Sequence, residues 1–321
     1  SFVLTRSKFT VYNSTLPPDF ERLIKGFTNG IYFMATDVFA ESSAALSRLL
    51  LRGVPKAKEI TFIPSGRLGT IPFEALFRGK PSKGSGFSTF PYLVKTSAVS
   101  YEFSAGLLLQ KSAHPPVSGK GIFLCAPISF PEKDNLGDLP ATQDEVNSIA
   151  GIFVKDARVV LEADANEGVV KSGNLAAYPY LHFATHGIVD ESAPELSRIF
   201  LQPGDHEDGN VFSGEIFNLK LNANLAVLSA CQTGLGKYSR GEGVIGLSRA
   251  LVYAGARSIV VSYWSVADRS TPELMSDFYR ILLSRPGTTN ADALRQAKCN
   301  MIQSGDYSSP YYWAPFVLIG Q

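Results

Sequence analysis

Two stretches decide the fold: YLHFATHG at residues 180–187 and NLAVLSACQTG at residues 224–234. Each begins as a continuous apolar run and breaks off into polar and glycine residues. Short apolar runs without polar alternation are the pattern of strands buried on both faces of a parallel sheet. In an open parallel sheet, catalytic and ligand-binding groups collect beyond the carboxyl ends of the strands. If these two strands are neighbours, His186 and Cys231 therefore emerge on the same rim.

Outward from them, strands and helices alternate. GIFLCAP (121–127) reads as a strand, and TQDEVNSIAGIF (142–153) as a helix with Thr142 and Glu145 at capping-box spacing. ARVVL (157–161) is a strand, followed by a helix near 165–174. GEGVIGLSRALVYAG (241–255) reads as a helix, because Val244, Leu247, Leu251 and Ala254 share one stripe and Gly255 can end it. SIVVSYW (258–264) is the next strand. TPELMSDFYRILLS (271–284) is a helix with Thr271 as cap and Pro272 in the first turn, then come a helix near 290–302 and a last strand in PFVLIG (315–320).

Earlier in the chain, SAALSRLLLRG (43–53) reads as a helix ended by Gly53, and EITFIPSG (59–66) as a strand running into a turn. Residues 81–120 are rich in Gly, Ser, Pro and Lys, which places a domain boundary near residue 117. The alternation predicts a doubly wound α/β fold. Between 187 and 222 a long irregular excursion is expected over the rim.

With 321 residues, 45% hydrophobic and 18% charged, the chain can bury a large core. Thirty Lys+Arg against 29 Asp+Glu, with no basic run, argue against a nucleic-acid partner. Three widely spaced cysteines fit a reducing, cytoplasmic setting better than a disulfide scaffold. No apolar run reaches the roughly 18 residues of a membrane span, and the start SFVLTRSKF has no signal-peptide core. A start at Ser1 in place of Met leads us to expect an excised fragment.

A thiol with pKa about 8.5 is mostly protonated at neutral pH, and an imidazole held beside it can stabilise the thiolate or move its proton. Cys231 and His186 are thus candidates for acyl transfer, with the backbone N–H groups of Gly187 and Cys231 as oxyanion donors. The competing reading of Cys231 is an inert small hydrophobe, and that of His182, inside the apolar run, a satisfied core histidine.

At these residues the sequence resembles the CHAT family, caspase-like domains found beside tetratricopeptide repeats and related to separase, gingipain and caspases. The resemblance is carried by ITFIPSGRLGTIPFEAL (60–76), LVKTSAVSYEFSAGLLL (93–109), LHFATHG (181–187), LSACQTGLG (228–236), the stretch 241–268 and PYYWAPFVLIG (310–320). It implies a caspase-like three-layer sandwich with a mostly parallel central sheet. Residues 1–117 would form a pseudo-caspase-like half, without any Cys, and 118–321 the active peptidase half. It implies His186 as catalytic histidine, Cys231 as nucleophile, and Gly187 as an oxyanion contributor. It also implies a substrate pocket at Trp264, Ser265 and Asp268, in which a carboxylate would favour a basic residue before the scissile bond. The competing role for Asp268 is a cap on the following helix.

The activity implied is that of a cysteine endopeptidase without cofactor or metal. Its substrate would be a protein, a pore-forming effector being one candidate, in bacterial defence or programmed cell death. A tetratricopeptide or other module outside the chain would activate it, the 187–222 excursion serving as gate. The alternative is a catalytically silent caspase-like scaffold. Three decoys fail on context. The glycines Gly241, Gly243 and Gly246 do not follow a strand directly, Ser248 lies inside a helix, and His182 and His186 share a strand without zinc-site residues between them. The calcium sites of family cousins have no EF-hand-spaced acidic cluster here.

Overall fold

The computed structural model describes residues 1–82, 84–112, 117–172, 174–190, 192–229, 243–264 and 269–320, with 111, 112 and 243–245 described by backbone alone. In chain order the strands and α-helices are β1 (Phe2–Leu4), β2 (Phe9–Val11), α1 (Phe20–Tyr32), α2 (Thr36–Leu50), β3 (Glu59–Phe62), β4 (Ala98–Tyr101), α3 (Ala105–Ser112) and β5 (Ile122–Ala126). There follow α4 (Ala141–Phe153), β6 (Ala157–Leu161), α5 (Glu167–Lys171), β7 (Tyr180–Ala184), β8 (Gly187–Ile188), β9 (Arg198–Phe200), β10 (Asn210–Phe212), α6 (Ser213–Asn218) and β11 (Ala223–Ser229). The chain closes with α7 (Gly243–Ala254), β12 (Ala256–Ser262), α8 (Ser270–Ser284), α9 (Asn290–Ser304), α10 (Pro310–Trp313) and β13 (Phe316–Ile319).

The eight-stranded central sheet has the order β3-β4-β13-β12-β11-β7-β5-β6. Neighbours run parallel throughout except at β12–β13. Buried residues fill β5, β7, β11, β12 and β13 almost without a break, as a sheet covered on both faces requires. The step β5–α4–β6 moves one way along the sheet and β11–α7–β12 the other. Right-handed crossovers therefore put α4 and α7 on opposite faces, giving a helix–sheet–helix sandwich. Helices α8 and α9 join α4's layer, and α6 packs on α7.

Residues before 117 enter this sheet through β3 and β4, which continue it past β13. A buried ion pair bridges the same seam. Lys298 Nζ of α9 lies 2.5 Å from Glu74 Oε1 and 2.5 Å from the carbonyl of Phe316, while Tyr101 donates its hydroxyl to the other Glu74 oxygen at 2.7 Å.

Helix α2 stops at Leu50, three residues before Gly53, and α7 stops just before Gly255, as expected from the sequence. Gly255 has φ +116°, and a Cβ there would meet the carbonyl oxygen of Leu221 at 2.2 Å. Two expected caps are corrected. Thr142 lies inside α4 with its hydroxyl on the Leu139 carbonyl, and Glu145 turns into the core instead of back to the helix start. Thr271 lies inside α8, which begins at Ser270. The expected irregular excursion is also more ordered than its composition suggested. It holds a small antiparallel sheet of order β10-β9-β8 and the helix α6, with Ile199, Phe200, Val211 and Ile216 buried. No described helix is long and apolar enough to cross a membrane.

Candidate active site

Strands β7 and β11 are parallel neighbours, with Ala184 opposite Ser229. The N–H of Thr185 continues the ladder by donating to the Ser229 carbonyl at 3.2 Å. His186 follows at the carboxyl rim, where the sheet's strands hand over to loops. Cys231, Ser265 and Asp268 lie outside the described residues.

The loop after β5 wraps His186. Its ring packs on Phe130, centroids 4.7 Å apart, and its Nε2 lies 2.7 Å from the carbonyl oxygen of Gly137. A carbonyl only accepts, so this partner assigns the proton to Nε2 and leaves Nδ1 with its lone pair in the neutral ring. His186 is 4% exposed, and its Nδ1 is buried without a hydrogen-bond partner among the described residues. An orphaned buried acceptor costs about 1–3 kcal/mol, and a catalytic role is one reason for such a group to be retained.

The loop is braced to hold that geometry. The Leu139 N–H donates to the Ile128 carbonyl at 2.7 Å, and Gln202 Nε2 donates to the Ser129 carbonyl at 2.6 Å. Ile128 sits at φ +67°, costly for a β-branched residue and imposed here by the closed loop.

Gly187 begins β8 and faces Ile199 of β9. The Phe200 N–H donates to the His186 carbonyl at 3.0 Å, which makes Gly187–Ile199 a non-hydrogen-bonded pair. The Gly187 N–H therefore points away from β9, toward the outer edge of the small sheet. Trp264 is buried just past β12, its indole N–H donating to the Tyr311 carbonyl at 3.0 Å.

Beneath the rim, His182 is satisfied as a core histidine. Its Nε2 lies 3.0 Å from Glu145 Oε1 and its Nδ1 3.3 Å from the Tyr279 hydroxyl. The same Glu145 oxygen accepts the hydroxyl of Ser229 at 2.7 Å. Sequence reasoning missed Phe130, Gly137 and this carboxylate. The rule that pointed to His186 points also to the loop after β5, but a backbone carbonyl such as that of Gly137 has no side-chain signature.

The remaining cysteines differ from a reactive thiol. Burial pushes the Cys125 thiol well up, and burial also raises that of Cys299 against the opposing charge of Arg295 and Lys95.

The chain shares this architecture with known peptidases. Separase of Saccharomyces cerevisiae, solved with securin, aligns with TM-score 0.51 at 14% identity over 78% of this chain and 14% of that one. Gingipain R, an Arg specific cysteine proteinase, aligns with TM-score 0.52 at 9% identity over 91% of this chain and 69% of that one. Both are clan CD cysteine peptidases, and the likeness is one of caspase-like fold. Tetratricopeptide repeat protein 28 of Homo sapiens is 25% identical over 83% of this chain, and that of Mus musculus 24% over the same share. The chain spans 12% of the length of each. The family model of the CHAT domain matches residues 40–321, and the chain belongs to that family.

Proposed function

We propose that this domain is a cysteine endopeptidase working through Cys231 and His186. The observation that carries the reading is the Nδ1 of His186, buried without a partner among the described residues and locked in its tautomer by the Gly137 carbonyl on the rim where β7 and β11 end. Cys231 follows Ser229 by two residues, so chain connectivity keeps its Cα within about 7 Å of the strand end beside His186.

Nδ1 takes the thiol proton, and the thiolate attacks the scissile carbonyl. The oxyanion is met by the N–H groups of Gly187 and Cys231. Collapse breaks the C–N bond, the imidazolium returns its proton to the leaving amine, and a thioester remains on Cys231. Water, deprotonated by Nδ1, then hydrolyses the thioester and restores the thiol. No cofactor enters this sequence.

For specificity we propose a basic residue before the scissile bond, with Asp268 supplying the countercharge beside Ser265 and Trp264. The support is the sequence order, since these residues come after β12, whose carboxyl end lies on the same rim, and the Arg specificity of the fold neighbour gingipain R. The substrate is a protein partner. Control by tetratricopeptide repeats outside this chain is supported by the curated relatives.

The test is cleavage of fluorogenic peptides varied at the residue before the scissile bond, by the parent and by Cys231→Ala, His186→Ala and Asp268→Ala. Cleavage after Arg or Lys, abolished by the first two substitutions and stripped of its basic preference by the third, is the expected result. Cleavage unaffected by Cys231→Ala overturns the dyad. Failure to cut any peptide or protein, with repeats attached as well as without, leaves the domain as a caspase-like scaffold.

A further inference from the structure

The polar cluster under the rim is costly to bury and has a connectivity that packing alone does not require. Glu145 is 2% exposed, His182 and Tyr279 are sealed from solvent, and Ser229 is 1% exposed. Burial keeps the Tyr279 phenol protonated, and the nearby Glu145 charge adds to that. Its hydroxyl lies 3.3 Å from His182 Nδ1, and the other ring nitrogen, Nε2, is aimed at Glu145 Oε1. Ser229 Oγ–H donates to the same oxygen at 2.7 Å. Apolar residues of matching volume at such a site are commonly as stable or more so, so stability alone is a poor account of the network.

The position of this network gives a better one. His182 lies on β7 four residues before His186, and Ser229 lies on β11 two residues before Cys231. The adjacent strands pair His182 with Val227 and Ala184 with Ser229, so one carboxylate oxygen from α4 grips both strands at the level just below their ends. Sheet hydrogen bonds fix the two strands along their length. The Glu145 bonds fix them against the helix layer, normal to the sheet.

We propose that Glu145 is a positioning residue of the peptidase, bracing β7 and β11 through His182 and Ser229 so that the imidazole of His186 and the thiol of Cys231 are held at reaction distance. It touches no substrate and takes part in no bond change. The inference rests on the dyad reading of Cys231 and His186. Misplacing a reacting group by about 1 Å costs on the order of 100-fold in rate. Glu145→Gln, which keeps shape and removes charge, is thus expected to lower kcat by about 10- to 100-fold with KM within about 2-fold. Ser229→Ala, which releases one strand only, lowers kcat by a smaller factor in the same direction.

The deciding experiment follows alkylation of Cys231 by iodoacetamide against pH, read by mass spectrometry of its peptide so that Cys125 and Cys299 are scored separately. It uses the full chain, with circular dichroism confirming the fold of each variant. In the parent, pairing with His186 makes the thiol titrate well below its ordinary value of about 8.5. Glu145→Gln and Ser229→Ala move that midpoint back toward 8.5 while the fold is retained. Folded variants with the parental alkylation profile and parental kcat overturn the positioning role and leave the dyad standing. If Glu145→Gln does not fold, Ser229→Ala decides by the same criterion. An ordinary thiol profile in the parent, together with cleavage that survives Cys231→Ala, removes the dyad and this inference with it.

Discussion

His186 Nε2 lies 2.7 Å from the carbonyl oxygen of Gly137, 49 residues earlier in the chain, so the loop after β5 sets the tautomer of a histidine at the end of β7. Since the contact is a backbone one, the loop's shape matters more than the identity of residue 137, and that shape is sealed over the ring by Phe130.

Under the proposed Cys231–His186 chemistry, Phe130→Ala should therefore act on turnover more than on stability. Ring packing of this kind contributes about 0.5–1.5 kcal/mol. Phe130 is only half-buried on the rim, so its loss leaves the core intact. A drop in kcat/KM of about 3- to 10-fold, with the melting temperature moved by less than about 2 °C, is the expected outcome of steady-state assays and calorimetry. An unchanged kcat/KM would show that the ring does not orient His186.

The elements that were legible in the sequence are those whose burial leaves a periodic signature. Strands β5, β6, β7, β11, β12 and β13 read as apolar runs, α7 read from its apolar stripe and Gly255, α4 was marked by a capping-box spacing, and α8 by Thr271 and Pro272 at its start. Strand β4 did not, because Ala98–Tyr101 is short and set among turns. The three strands over the rim were hidden for another reason. With two or three residues each and polar, Gly- and Pro-rich neighbours, β8, β9 and β10 carry no period, and their order comes from packing on the rim. Glu145 shows how a local rule misleads. Its spacing from Thr142 satisfies the capping-box pattern, but the unmet hydrogen-bonding needs of His182 and Ser229 inside the sheet layer win. His186 was singled out because strand ends are where chemistry is expected, whereas the carbonyl its ring meets, that of Gly137, is written nowhere in the side chains.

Lys298 and Glu74 join the chain before residue 117 to the chain after it. Each side chain is no more than 2% exposed, so removing one leaves the other as a lone buried charge. Lys298→Met should cost about 3–5 kcal/mol in denaturant unfolding. The double variant Lys298→Met with Glu74→Leu should recover most of that loss, since no lone charge remains. For the same reason residues 118–321 alone should not give a stable monomer: β13 would lose its neighbour β4, and Lys298 would lose its carboxylate. A cooperative unfolding transition from that truncation would show the seam to be dispensable.

Gly255→Ala is expected to be among the most damaging single-methyl additions. The backbone is at φ +116°, and the added Cβ would sit 2.2 Å from the carbonyl oxygen of Leu221, a residue tied to the α7–β12 corner by its N–H donating to the Ala254 carbonyl at 2.7 Å. Strain at such a site costs about 1–3 kcal/mol before the clash is counted. Urea denaturation should show a loss of at least about 2 kcal/mol, and a loss below about 0.5 kcal/mol would refute the corner geometry.

Lys171 pins the segment over the rim. Its ammonium meets Glu167 at 2.7 Å, Glu207 at 3.0 Å and Glu215 at 2.6 Å, tying α5 to the β9–β10 connection and to α6. Burial works against the charge, but the hydrogen bonds the ammonium donates to the three carboxylates outweigh it and hold the amine above its ordinary range. A folded-state value above the unfolded one means that the stabilisation is complete below about pH 10.4 and is lost as pH rises through the folded value. Lys171→Met should accordingly cost on the order of 1 kcal/mol at pH 8, discounted for the partly exposed Glu207 and Glu215. The gap between parent and variant should narrow as pH climbs past about 10.4. The same substitution should speed limited proteolysis between Val189 and Leu221, since the segment loses its anchor while its own small sheet remains. A gap that stays constant from pH 8 to pH 11.5, about one unit beyond the ordinary lysine value, would show that the ammonium is not what holds the segment down.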